Sequence, residues 1–463
     1  MRISRSAFRR AAAAALCLAL AGCALKAPPE RSELAKQALG DAQPPARWRG
    51  GASTPGAVSD GWLKTLNDPR LDAMVDDTLA RNVDLRIAAT RVEQAEASLR
   101  IAGATLYPAV SLLARDGGKM GGDGSGLTGV VLNAAWEIDL WGRIRYGERA
   151  ASGELGSRQA DFAYARQSLA ALVARSWFVA AESALQTRVA GDMLAAAERL
   201  AELTRARLNV GNATEQDVAL ADANVQTYRD SLRQLQLARE QALRSLELLA
   251  GRYPAATLAA AESLPALPAA APTGIPSELL ERRPDVIAAE RRVAAAFDRT
   301  EEARAARLPR ISLTAGIASI FSSLFILQDR DNPSGSFGAS IFAPLFTGFA
   351  LEGQVELRTA EQKRAVAEYA ATGLKAFNEV ESALANEAAL GDRYATLSRL
   401  VAENERALGY AEIQYRVGKT DQSAVLNAQL RLYGSRAQLV RLQAERLAQR
   451  VALHLALGGN FAS

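Results

Sequence analysis

Downstream of Asp421 the apolar residues Leu426, Leu430, Tyr433, Ala437, Val440, Ala444, Leu447 and Val451 alternate steps of four and three. A seven-residue repeat kept over several heptads predicts a long helix in a left-handed coiled coil. Helical spacing also begins at Asp68, through Leu71, Val75, Leu79, Val83, Ile87, Val92, Ala95 and Leu99, and closes before Tyr107-Pro108. A third pattern runs unbroken from Ile144 to Leu208, on the order of 100 Å of helix at about 1.5 Å per residue, far beyond globular length. A further helix reaches about Ala250. The spacing differs at Ile311, Leu313, Ala315 and Ile317, which alternate with Ser312, Thr314 and Gly316. Period two predicts a strand with two unlike faces. Other strands are predicted over 109–114, over 127–136 after the glycine-rich 116–126, and through Phe337, Ala339 and Ile341 after a loop at 328–335.

The order occurs twice. Arg283-Pro-Asp-Val286 matches Asn82-Val-Asp-Leu85, Leu308-Pro309 matches Tyr107-Pro108, and Phe342 to Gly348 aligns with Trp136 to Gly142. Each half reads helix, two strands, long helix, turn, helix, over 60–250 and 276–459, with an Ala/Pro-rich linker at 251–275. Both long helices end at a Val-Gly pair, Val210-Gly211 and Val417-Gly418. Glycine there predicts a left-handed C-cap, because it lacks the Cβ that penalises that conformation. Thr214 and Thr420 follow as expected N-caps, with Glu215 and Asp421 next to meet the helix dipole.

Composition narrows the class. A formal charge of +4, with basic and acidic residues interspersed, offers no nucleic-acid patch. At the start, Arg2, Arg5, Arg9 and Arg10 precede a short apolar run and Leu20-Ala-Gly-Cys23, so residues 1–22 read as an export signal. Small residues before a cysteine at this spacing resemble a bacterial lipobox. That resemblance implies cleavage before Cys23 and its acylation; Ala24, not aspartate, implies delivery to the outer membrane. Residues 23–59, rich in Pro, Gly and Ala, are expected to form an extended tether. The one other cysteine, Cys17, lies within the signal, which leaves no disulfide framework. No later stretch reads as a transmembrane helix, so a membrane crossing would have to use strands. Four strands cannot close a barrel, and open edges in lipid leave backbone groups unsatisfied. Three chains giving four strands each would close twelve, with the long helices continuing as a tube.

These features together, with Trp136-Glu-Ile-Asp-Leu-Trp-Gly142 and the two Val-Gly turns, resemble the TolC-like outer-membrane efflux proteins, most closely their NodT-type lipoprotein branch. The resemblance spans about Asp60 to Gly459. It implies a mainly α fold with a small β part: long coiled-coil hairpins forming an α-barrel, and four strands per chain completing a trimeric 12-stranded β-barrel. It further implies a homotrimeric exit duct joined by a periplasmic adaptor to an inner-membrane transporter, passively exporting small toxic compounds. Val210, Gly211, Val417 and Gly418 match the tips where adaptors dock. Asp217 and Tyr415 match positions that latch the periplasmic gate, with Asp421 beside them. Family aspartates that ring the aperture correspond to Ala424 and Asn427, so a cation-binding constriction is not expected here.

Other candidates carry less. Gly124-Ser-Gly-Leu-Thr-Gly129 fits a nucleotide-loop pattern but opens a strand, so it reads as a barrel loop. Asp329-Arg-Asp-Asn332 lacks the remainder of a calcium loop. His454, the sole histidine, excludes a multi-histidine zinc site and is expected at the surface near a helix C-terminus. No catalytic constellation is present; the reading is a non-enzyme with no metal and no cofactor beyond the lipid on Cys23. The alternatives are a duct for secreted polypeptide or metal ions, and a structural coiled-coil lipoprotein without a pore.

Overall fold

The computed structural model describes residues 25–51, 56–115, 127–322 and 334–462. In chain order the elements are α1 (Arg31–Leu39), α2 (Pro69–Arg81), α3 (Val83–Ala104), β1 (Ala109–Arg115), β2 (Leu127–Ile138), α4 (Arg143–Asn209), α5 (Glu215–Leu249), α6 (Pro284–Ala305), β3 (Arg310–Ser322), β4 (Ser334–Phe342), α7 (Ala350–Arg416) and α8 (Gln422–Ala456). Short helical turns lie at Trp62–Leu66 and Pro276–Arg282. The fold is mostly helical, with one four-stranded sheet and a doubled order of elements. The duplication extends to length: α4 and α7 have 67 residues each, α5 and α8 have 35 each.

The chain divides into two compact units. One holds the sheet, α1, most of α3 and the sheet-proximal parts of α4, α6 and α7. Its strands form an antiparallel sheet in the order β1-β2-β3-β4, leaving β1 and β4 as edges. Directly opposed residues share a face. One face carries Val110, Leu112, Leu132, Trp136, Ile311, Leu313, Ile317, Phe337 and Ile341. The other carries Ser111, Asn133, Ser312, Thr314, Ser336 and Ser340, with Leu113 and Val131 among them. The apolar face is bare, Phe337 being 96% exposed. Indole N–H groups fix the strand ends: Trp136 donates to the Leu106 carbonyl at 2.9 Å and Trp141 to that of Pro309 at 2.7 Å. Asp139 accepts from the amides of Ile144 and Arg145, both at 3.0 Å, and so starts α4.

The second unit holds the remainder of α4 and α7, with α2, α5, α8 and the linker. Its core gathers Leu71, Met74 and Val75 of α2, Ala174, Trp177 and Phe178 of α4, Leu243 and Leu246 of α5, and Leu447 and Val451 of α8. Asp68 caps α2 by accepting from the Arg70 and Leu71 amides at 3.1 and 3.2 Å, and its other oxygen takes the Trp177 indole N–H at 2.9 Å. Along α8 the heptad positions are buried at Leu426, Ala444, Leu447 and Val451 and half-buried between, while Arg431, Arg436, Arg441 and Glu445 face out.

Four expectations are corrected. The pattern from Asp68 is two helices, broken at Asn82. There the side-chain amide donates to the Leu249 carbonyl at 2.8 Å while its oxygen accepts from the Leu85 amide at 2.9 Å. The tether is not extended throughout. It contains α1, and it buries Leu34, Leu39 and Trp48, whose indole donates to the Thr273 carbonyl at 3.0 Å. One window of α4 does have the length and apolarity of a membrane span, but 56% of it is buried inside the fold, as for a core helix. Finally, His454 is buried and stacks on Trp62 with ring centroids 5.9 Å apart. Burial, then Arg450, lowers its pKa to about 4, so it is neutral at pH 7.

The equivalence of the halves extends to how each last helix is tied down. Arg283, at the position matching Asn82, is 1% exposed and donates to the Ala456 carbonyl at 3.1 Å, as Asn82 does to Leu249. Arg283 also bonds Asp285 at 2.7 Å and Glu379 at 2.6 Å. Burial opposes its charge, but these carboxylates outweigh it and hold the guanidinium pKa above its ordinary value. The linker is fixed by Glu247, which accepts from the Ala256, Thr257 and Leu258 amides at 2.6, 2.7 and 3.0 Å. Burial raises the Glu247 pKa, and those amides together more than reverse it.

Candidate functional site at the hairpin tips

Each long helix ends in the same turn. In the first, the Gly211 amide donates to Leu208 at 2.9 Å and that of Asn212 to Arg207 at 2.8 Å. In the second, Gly418 donates to Tyr415 at 3.0 Å and Lys419 to Gln414 at 2.8 Å. These paired bonds satisfy the last carbonyls of α4 and α7 and reverse the chain. Gly211 and Gly418 sit at φ 74° and 72°. A Cβ on either would meet nothing within 4 Å, so backbone conformation alone calls for glycine. The apolar neighbours Val210 and Val417 are 70% and 62% exposed at the apices.

The returning helices start differently. Thr214 caps α5 in a reciprocal box: its hydroxyl accepts from the Asp217 amide at 3.2 Å, while Asp217 accepts from the Thr214 amide and hydroxyl, both at 2.8 Å. These bonds from Thr214 hold the Asp217 carboxyl below the usual range. For α8 the cap is Asp421, not Thr420; its carboxylate accepts from the Ala424 amide at 3.1 Å. The Ser423 hydroxyl, the Ala424 amide and Arg207 lower the Asp421 pKa against the effect of desolvation.

The structure does not bring Asp217 and Tyr415 together. Thr214 engages the Asp217 carboxylate, and the Tyr415 hydroxyl has no hydrogen bond among the described residues, its ring half exposed on the last turn of α7. The polar tie between the tips is instead Arg207 of α4 with Asp421 of α8, which are in hydrogen-bonded contact. Sequence reading missed Arg207. The matching position in the second half is Gln414, and the partners are 214 residues apart, so no local spacing announces the pair.

Each hairpin is also braced internally. Ala197 and Ala201 pack on Ala221 and Val225 near the first tip, flanked by Arg229–Glu198 at 3.0 Å. In the second hairpin Asn404 donates to the Ser435 hydroxyl at 3.0 Å and Arg436 pairs with Glu405 at 2.8 Å. Cys23, Asp329-Arg-Asp-Asn332 and the first half of Gly124–Gly129, up to Gly126, lie outside the described residues. Among the described residues no cluster of His, Cys, Asp and Glu could hold a metal ion.

Comparison with known proteins accounts for both halves at once. The family described as outer membrane efflux protein matches residues 74–252 and again 275–459, one match per repeat. The chain is 31% identical over 465 residues to the pyoverdine export outer membrane protein OpmQ of Pseudomonas aeruginosa, covering 96% of each. It is 31% identical over 417 residues to the toluene efflux pump outer membrane protein TtgC of Pseudomonas putida, covering 88% of this chain and 86% of the relative. Among solved structures it is similar to the outer-membrane channel OprN, with a TM-score of 0.80 and 28% identity, over 95% of this chain and 100% of that one. With the family matched in each of its two repeats, the chain belongs to the outer membrane efflux protein family.

Proposed function

We propose that this chain is the outer-membrane exit duct of a tripartite pump that expels small toxic organic compounds. The observation that carries the reading is the sheet. It has one apolar and one mainly polar face and two unpaired edges, as suits a wall between lipid and water. In lipid those edges must be paired, and three copies joining β1 to β4 close twelve strands. The long helices continue the conduit, and energy comes from the partner transporter. A periplasmic adaptor docks on Val210, Gly211, Val417 and Gly418, which present exposed apolar apices at both tips. A lipid on Cys23 adds an anchor, each buried methylene contributing about 0.8 kcal/mol. The chemistry of a passive duct requires neither a catalytic group nor a cofactor.

The test is the mass of the purified, detergent-extracted protein together with its conductance in planar bilayers. A trimer that carries discrete currents is expected. A monomer, or a verified trimer without current under any condition, overturns the duct and favours a structural rod.

A further inference from the structure

We propose that Arg91, Arg158 and Arg299 line the bore of the duct as a basic girdle that favours anionic cargo. The inference rests on the duct reading above and names the charge class that passes.

A groove of about 500 Å³ lies between α3, α4 and α6. It is lined by Arg91 and Gln94 of α3, Glu154 and Arg158 of α4, and Arg299 of α6. Glu154 is the one acid of the lining, and it pairs with Arg158 at 2.6 Å. Arg91 and Arg299 are exposed and enter no ion pair among the described residues, so the groove keeps a net positive charge. Arg292 stands at the position matching Arg91 in the second repeat, seven residues before Arg299 and so on the same flank of α6.

The N-terminal segment decides which way this groove faces. The Lys26 amide donates to the Tyr146 hydroxyl at 2.8 Å, and the Lys26 carbonyl accepts from Arg149 at 3.2 Å. Arg31 of α1 pairs with Glu290 of α6 at 2.8 Å. Arg149 and Arg158 are nine residues apart on α4, as are Glu290 and Arg299 on α6. At about 3.6 residues per turn, nine residues make about two and a half turns. Both helices therefore turn one flank to the N-terminal segment and the opposite flank to the groove. That segment follows Cys23, whose proposed lipid sits in the membrane around the duct, and a chain laid along the inside would fill the bore. The segment runs outside, and the arginines face inward.

A guanidinium presents paired N–H donors that match the oxygens of a carboxylate, sulfonate or phosphate. Arginines on a pore wall attract anions and repel cations, and three copies repeat the groove around the bore. Because Arg91 and Arg299 stay hydrated, each contact is weak, which lets a compound both enter and leave. The cargo class this favours is a small organic compound bearing an acidic group.

Reversal potentials of the purified trimer across a potassium chloride gradient test this, with wild type beside Arg91→Gln/Arg299→Gln and Arg91→Lys/Arg299→Lys. Both arginines are exposed, so neither pair of substitutions should disturb folding; trimer mass and circular dichroism check it. Wild type is expected to pass chloride in preference to potassium. The glutamine variant should lower that ratio by about twofold or more, and the lysine variant, which keeps the charges, should hold it. The preference should be marked below about 0.1 M salt, where the screening length is about 10 Å, and fade near 1 M, where it is about 3 Å. Benzenesulfonate should obstruct the wild-type current more than that of the glutamine variant, and tetramethylammonium should obstruct neither. A wild type that favours potassium, or a ratio that the glutamine substitutions leave unmoved, overturns the girdle and leaves the duct standing. Absence of current from every verified trimer removes the duct and the girdle with it.

Discussion

Arg283→Met is expected to cost about 3 kcal/mol of stability. The native guanidinium is almost fully enclosed, bonded to Asp285, Glu379 and the Ala456 carbonyl, with Tyr164 beneath it at 5.9 Å. Removing one member of a buried charge cluster typically costs about 3–5 kcal/mol, because the partners stay desolvated and unpaired. Two facts place this site at the lower end. Asp285 and Glu379 keep 19% and 34% of their side-chain surface, and Asp285 retains the Val286 amide at 3.0 Å. The penalty left over is chiefly the stranded end of α8. At about 2–4 °C per kcal/mol for a unit of this size, the melting midpoint should fall by roughly 6–12 °C. Thermal scans by far-ultraviolet circular dichroism at one fixed heating rate would measure it. Arg282→Met is the control: that arginine is 31% exposed and pairs with Asp60 at 2.5 Å, so its loss should cost no more than about 1 kcal/mol. Adding Glu379→Gln to Arg283→Met should recover part of the loss, since the orphaned charge goes with it. Equal shifts for the Arg282 and Arg283 variants, or no recovery in the double variant, would refute the reasoning.

Three further outcomes are expected. Asp298 is 3% exposed and lies 3.4 Å from Arg149; burial first, and Glu301 after it, raise its pKa to about 6 against the pull of that arginine. A raised carboxylate pKa makes the fold bind a proton more tightly than the unfolded chain, so this group adds stability as pH falls from 6 towards 4. Asp298→Asn should therefore stabilise by roughly 2–3 kcal/mol at pH 7 and by almost nothing near pH 4, as read by denaturant titrations at both. His454 has the opposite sign: its lowered pKa makes the fold reject a proton, so stability is lost as pH falls from about 6.5 through about 4, and His454→Phe should flatten that limb of the profile. Gly418→Ala should cost about 1–2 kcal/mol through its positive φ alone, whereas Gly251→Ala should cost clearly more. At Gly251 a Cβ would also stand 2.8 Å from the Arg81 carbonyl oxygen, and melting scans would rank the two.

Much of the fold was legible because its signals are periodic. The steps of four and three after Asp421, the alternation at Ile311–Ile317 and the two Val-Gly pairs each carry one geometry, and together they predict the helices, a strand and the turns within a few residues. What escaped was contact across the chain. Asn82 interrupts no hydrophobic pattern, and its break shows only once Leu249 is beside it. The proline-rich stretch before Val58 reads as a tether because Leu34, Leu39 and Trp48 are scattered among polar and small residues. Thr420 and Asp421 are both good caps, and spacing alone could not choose between them. His454 reads as a surface residue near a helix C-terminus until Trp62, from the other end of the chain, is found stacked on it. At the tips the sequence located both turns, and it missed Arg207 because its partner comes from the other repeat.

The equal helix lengths make the chain a matched pair of rulers. The two hairpins count 67 residues outward and 35 back from the same register, so Arg207 and Asp421 arrive at one level. A heptad inserted in α4 alone would carry its tip about 10 Å past its twin and misplace that meeting, even though every local packing rule was obeyed. Reach can then change only when all four helices gain or lose whole heptads together. Relatives built for a wider or narrower periplasm should differ in length by concerted steps, and a lopsided insertion should be rare among them.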